Sequence, residues 1–135
     1  MNVLDEIISN KYIEIKQLHN NLDVLTAVKK IKKLLPPRNF KSAISKPCLN
    51  LIAEIKKKSP SAGIIAKNFN PVKIAKTYEL NGASAISVLT VKKFFGGTIS
   101  YLFKVKQNTQ IPILRKDFII DELQIYESRL NGADA

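Results

Sequence analysis

Through the first 47 residues, apolar side chains recur every three or four positions, the period of a helix with one buried face. Leu4, Ile8, Tyr12, Ile15 and Leu18 make one such stripe. After Asp23 a second, basic segment places Val24, Val28, Ile31 and Leu35 on one side, and Pro36 and Pro37 stop it. Residues 38–45 predict one further short turn of helix. From Cys48 onward the pattern changes to short apolar runs that alternate with amphipathic segments. A first strand is expected over 49–57. A helix follows from Asn70 and Pro71, an N-cap and a first-turn proline, to Asn81, with Gly82 as its left-handed stop. Residues 83–90 read as a second strand, Thr98 as the cap of a helix through Asn108, and 111–118 as a third strand. Asp121 and Gln124 stand at capping-box spacing before a last helix on which Leu123, Tyr126 and Leu130 share a face and which Gly132 closes. Strand and helix thus alternate three times, which argues for a parallel α/β architecture.

An internal repeat reinforces this reading. Leu80-Asn81-Gly82-Ala83-Ser84-Ala85 recurs as Leu130-Asn131-Gly132-Ala133-Asp134-Ala135. The first copy leads into the apolar residues of the second strand. The second is the last of the 135 residues, so the chain reads as stopping inside the opening of a fourth strand.

Composition narrows the class. With 45% hydrophobic and 24% charged residues the chain reads as an ordinary globular protein. No run approaches the roughly 18 apolar residues of a membrane helix, and Asp5 and Glu6 occupy the place of a signal core, so no secretion is expected. A single cysteine, Cys48, excludes an internal disulfide, and one histidine, His19, adds little towards a metal site. The net charge is +11, and between residues 24 and 58 ten Lys or Arg face only Glu54. Such an excess suits an anionic partner, either a phosphorylated small molecule or nucleic acid, although a lysine-rich solvated surface gives the same count. No zinc-finger spacing, Arg-rich tract or RNA-binding aromatic signature sharpens the nucleic-acid case.

Candidate chemistry lies at the strand ends. Alternation places Ile52, Glu54 and Lys56 on one face of the first strand, and Leu114, Lys116 and Phe118 on one face of the third. Ser87 and Leu89 hold the corresponding positions on the second. Carboxyl ends of parallel strands are where α/β enzymes carry catalytic groups. An internal ion pair is the plain alternative, but Glu54 cannot neutralise two lysines. Two connections there also stand out. Residues 58–70, with Ser59, Pro60, Ser61 and Gly63, exceed the usual βα loop and read as a lid or binding loop. Residues 91–97 present Phe94 and Phe95 before Gly96-Gly97, suited either to stacking on an aromatic ligand or to packing under the loop. No Walker loop or glycine-rich nucleotide motif occurs.

These residues resemble a known family. Ala53-Glu54-Ile55-Lys56-Lys57-Lys58-Ser59-Pro60-Ser61 is similar to the E-x-K-x-x-S-P-S signature of indole-3-glycerol-phosphate synthases. Ile86-Ser87-Val88-Leu89-Thr90, Phe94-Phe95-Gly96-Gly97 and Pro112-Ile113-Leu114-Arg115-Lys116-Asp117-Phe118-Ile119-Ile120 follow in that family's order, and Pro36-Pro37-Arg38-Asn39-Phe40 resembles its link from helices to barrel. The resemblance implies a (βα)8 TIM barrel: an N-terminal helical extension over 1–47, then the first βα units over 48–135, cut at the start of the fourth strand. It also implies a cytoplasmic lyase of tryptophan biosynthesis that needs no metal or organic cofactor. The family decarboxylates and cyclises 1-(2-carboxyphenylamino)-1-deoxyribulose 5-phosphate to indole-3-glycerol phosphate, carbon dioxide and water. Carried over, Lys116 matches the general acid, which a desolvated setting would help to give up its proton. Lys56 matches the lysine that holds the substrate carboxylate, and Glu54 the glutamate that orients both. Ser59, Pro60 and Phe95 match substrate-contacting positions, with Leu89 and Phe118 as apolar walls. The family's second glutamate, its general base, lies further along the barrel, as do its phosphate loops. Three readings therefore stand: a synthase, an inactive barrel fragment that needs a complementary half and self-associates through its open edge, and a basic nucleic-acid-binding module.

Overall fold

The computed structural model describes residues 2–135. Helices α1 (Val3–Asn21), α2 (Val24–Ile31) and α3 (Phe40–Ala43) come first. They are followed by β1 (Ile52–Ile55), the hairpin strands β2 (Lys58–Ser59) and β3 (Gly63–Ile64), α4 (Pro71–Leu80), β4 (Ala85–Leu89), α5 (Lys92–Phe95), α6 (Ser100–Lys106), β5 (Ile113–Lys116) and α7 (Leu123–Leu130). The expected alternation is present. β1, β4 and β5 form a parallel sheet in chain order, with Glu54 opposite Ser87, Ser87 opposite Leu114 and Leu89 opposite Lys116.

One face of this sheet makes the core. Ile55, Ile86, Val88 and Ile113 point towards the helices and bury with Ala75 of α4 and Leu102 and Val105 of α6. The other face stays open, and Ile52 is 41% exposed there. Helices α1 and α2 pack on α7, and α1 also meets α5.

Local chemistry sets the boundaries. Asn2 and Asp5 form a reciprocal capping box on α1, and Asp23 and Asn70 cap α2 and α4 by accepting from the Thr26 and Lys73 N–H groups. The repeat is a repeat in three dimensions. Gly82 and Gly132 take φ of 89° and 93°, and Ala83 and Ala133 donate back to the Tyr78 and Ser128 carbonyls, each at 3.0 Å, closing two Schellman turns. Ser84 and Ala85 then donate to Leu51 O, while Asp134 and Ala135 donate to Ile113 O and Arg115 N–H donates to Ala135 O. The second copy therefore begins a third parallel pairing, on the free edge of β5.

Several expectations are corrected. α1 buries Ile7, Lys11 and Ile15, leaving Leu4 and Tyr12 of the expected stripe exposed. The second helix stops at Ile31, four residues before Leu35, which is 86% exposed. Thr98 does not cap α6 with its side chain; its hydroxyl meets that of Ser100 at 3.3 Å, and its carbonyl accepts from Tyr101 N–H. Residues 58–64 are a hairpin rather than a plain loop. At α7, Gln124 Oε1 accepts from Asp121 N–H as a capping box requires, but Asp121 Oδ1 accepts from Leu123 N–H, one residue early.

Candidate active site

Glu54 projects from the open face of β1, one strand away from Ser87 and two from Leu114. Its backbone is held from below, since Tyr78 of α4 donates its hydroxyl to the Glu54 carbonyl at 3.0 Å. The carboxylate holds two ammonium groups at once. Lys56 Nζ lies 2.9 Å from Oε1, and Lys116 Nζ pairs with Oε2 from across the sheet. Burial by itself would raise the Glu54 pKa. The hydrogen bonds and charges of Lys116 and Lys56 outweigh it and hold the carboxyl below its ordinary 4.5. One negative charge against two positive ones leaves the cluster cationic.

The Lys116 side chain is 55% exposed, so the desolvated lysine expected from the sequence is not what this chain presents. The inner face is open above it.

Leu89, the register partner of Lys116, is buried at the end of β4, and Phe118 is half-buried just past β5. Ser59 lies in the hairpin, where its hydroxyl accepts from Ala62 N–H at 3.1 Å, and Pro60 is exposed at the hairpin turn. Phe94 and Phe95 are half-buried in the one-turn helix α5 rather than displayed on a flexible loop, and Lys93 lies over the Phe94 ring at 5.3 Å. α5 packs against β2, so the two loops singled out in the sequence are neighbours. Glu54, Lys56 and Lys116 are joined by direct contact; Ser59 and Phe95 sit on the paired loops at the same end of the strands.

A groove of about 480 Å³ opens beside Glu54 and Lys56, walled by Ile65, Ile74 and Tyr78. A cleft of about 420 Å³ under α1 belongs to a different cluster. There Lys11, only 3% exposed, lies 2.7 Å from Asp117 Oδ1 and 2.5 Å from Glu14, and Arg115 lies 3.1 Å from Asp117 and 2.8 Å from Glu127. Its charges satisfy one another. The sequence reading missed this cluster, although the spacing Ile7, Lys11, Ile15 puts Lys11 on one helix face with two core residues.

The family model for indole-3-glycerol phosphate synthase matches residues 4–135. The chain belongs to that family. It is 47% identical to the indole-3-glycerol phosphate synthase of Desulforamulus reducens over 98% of its own length and 51% of that relative. It is 48% identical to that of Desulfotalea psychrophila over 98% of the chain and 52% of the relative. For one Prochlorococcus marinus synthase the identity is 50%, over 99% of the chain and 46% of the relative. The chain thus spans about half the length of the curated relatives it matches. The family is a TIM barrel, and β1, β4 and β5 with their helices are its N-terminal part.

Proposed function

We propose that this chain carries the first half of the active site of an indole-3-glycerol-phosphate synthase, with residues 1–47 as the helical extension and 48–135 as the opening βα units. The reaction closes the five-membered ring of 1-(2-carboxyphenylamino)-1-deoxyribulose 5-phosphate and releases carbon dioxide and water, in the cytoplasm. The observation that carries the reading is the pairing of Lys56 and Lys116 on the single carboxylate of Glu54 at the carboxyl ends of the strands.

Lys116 Nζ donates a proton to the substrate ketone oxygen as the ring carbon attacks, so that negative charge never builds up there. Lys56 holds the substrate carboxylate until it leaves as carbon dioxide, and it assists the loss of water. Glu54 keeps both ammonium groups aimed at one point and takes up and returns protons between the steps. Ser59 and Pro60 close over the substrate, Phe95 packs on its aromatic ring, and Leu89 and Phe118 line the pocket. The cationic surplus of the cluster suits a substrate bearing both a carboxylate and a phosphate. On its own, the 135-residue chain binds weakly and does not turn over, and its open edge favours self-association.

In a full-length barrel containing this sequence, Lys116→Ala is expected to remove most of kcat with a smaller change in KM, because its contribution arises in the transition state. Lys56→Ala raises KM as well. Wild-type turnover by Lys116→Ala would overturn the assignment.

A further inference from the structure

Asp117 follows Lys116 directly and points to the other face of the strand end, where its carboxylate is fully covered. Four groups hold it there. Lys11 of α1 lies 2.7 Å from Oδ1, and Phe118 N–H donates to the same oxygen at 2.8 Å. On Oδ2, Thr90 Oγ1 donates at 2.5 Å and Arg115 at 3.1 Å. Arg115 is shared with Glu127 of α7 and with Thr90 Oγ1. Among the described residues, Lys11 is thus the cation that the N-terminal helices send into this node, and Asp117 is where it lands.

This matters for Lys116 because the strand ladder ends at that residue. The last register pair is Leu89 with Lys116, and beyond it the backbone is held by Thr90 N–H donating to Lys116 O at 3.1 Å and by the carboxylate of Asp117. A long flexible side chain starts wherever its Cα–Cβ bond points, so the backbone at 116–118 sets the line along which Lys116 reaches Glu54. We infer that Lys11 is a positioning residue for Lys116: by completing the charge around Asp117 from the helical extension, it fixes the strand end from which the lysine is aimed. The inference rests on the reading of Lys116 as proton donor. Without Lys11, Asp117 keeps only Arg115 as a charged partner, and a buried carboxylate short of partners draws in water or turns outward. Either response loosens Phe118 N–H and the backbone behind Lys116.

The test has two arms. In the 135-residue chain, pulse acetylation with acetic anhydride is read lysine by lysine by mass spectrometry, with Lys76 on the far side of α4 as internal standard. Lys11→Met is expected to raise Lys116 labelling several-fold relative to Lys76, and Lys11→Arg to return it close to wild type. If Lys11→Met does not fold, Lys11→Gln, which keeps a polar side chain beside Asp117 but removes the charge, is expected to show the same rise. In the full-length barrel, Lys11→Met lowers kcat about tenfold or more, with KM changed far less, as misplacement of a reacting group does. Lys116 labelling at the wild-type rate in either folded variant overturns the inference, and so does a wild-type kcat. Should Lys116→Ala itself turn over normally, the reading of the reaction fails, while the labelling arm still decides what Lys11 holds in place.

Discussion

At the scale of single residues, Glu54 is held by opposing forces whose balance has a pH signature. Its carboxyl lies below 4.5 in the folded chain, because two ammonium groups outweigh its burial. A depressed folded pKa means that the ionised group contributes stability above the unfolded value, and the contribution disappears as pH falls through the folded value. The stability difference between wild type and Glu54→Gln, measured by urea unfolding, is therefore expected to hold steady from neutral pH to about 5 and to shrink at lower pH. A difference that grew on acidification would contradict the ion pairs. Glycine at position 97 gives a second residue-scale test. A Cβ there would lie 2.4 Å from the Leu89 carbonyl oxygen and 2.7 Å from the Thr90 carbonyl carbon, so backbone rather than a side chain would have to move. Gly97→Ala is expected to cost about 1–3 kcal/mol in urea unfolding, as overpacking does. At Gly63 nothing stands within 4 Å, so Gly63→Ala meets only the strain of its φ of 64°, about 1 kcal/mol.

At the scale of elements, legibility followed how strongly one period dominated. Glu54, Lys56 and Lys116 could be placed on one face because strand alternation leaves only two choices, and the registers Glu54–Ser87–Leu114 and Leu89–Lys116 bear that out. α1 was harder. The series Leu4, Ile8, Tyr12, Ile15 and the series Ile7, Lys11, Ile15 both have helical spacing, and hydrophobicity favours the first. The fold takes the second because Asp117 offers Lys11 a buried partner, a fact that depends on a residue more than a hundred positions away. Thr98 departs from the expected cap for a related reason: its hydroxyl has the Ser100 hydroxyl at hand, and its carbonyl already takes the Tyr101 N–H. The two Schellman turns, by contrast, were written in the repeat itself, because only a residue free to take positive φ ends a helix that way. They are not equivalent in surroundings. A Cβ on Gly82 meets open space, whereas one on Gly132 meets the Lys106 stem at 3.0 Å. Both alanine variants carry the left-handed strain of about 1 kcal/mol, and Gly132→Ala is expected to lose more, because the Lys106 stem must move while its ammonium is tied to Asp134 at 2.5 Å. Equal urea midpoints for the two variants would show that the stem yields freely.

At the scale of the whole molecule, the sheet has a finished face and an open one. Ile55, Ile86, Val88 and Ile113 are covered by α4 and α6, while Ile52 on the opposite face and Leu51, Ile119 and Ile120 at the sheet's two ends are each 40% exposed or more. At roughly 25 cal/mol per Å², a few hundred Å² of such surface is worth several kcal/mol to any partner that covers it, and apolar patches of that size mark interfaces. The outer edge of β1 adds unpaired backbone groups that a second strand could use. Against this stands a net charge of +11, which drives copies of the chain apart. The two effects respond oppositely to salt, since screening shortens the reach of the charge to about 8 Å at physiological ionic strength but leaves apolar burial intact. The 135-residue chain is therefore expected to associate more strongly as sodium chloride is raised, with the average mass from sedimentation velocity increasing with both salt and protein concentration. Ile52→Lys, which puts a charge in the middle of the open face without touching the core, is expected to shift that association to higher concentration while leaving the far-UV circular dichroism unchanged. If association instead weakened with salt, the contact would be between charged surfaces, and if the chain stayed monomeric at every concentration while melting cooperatively, the open face would be stable in water as it stands.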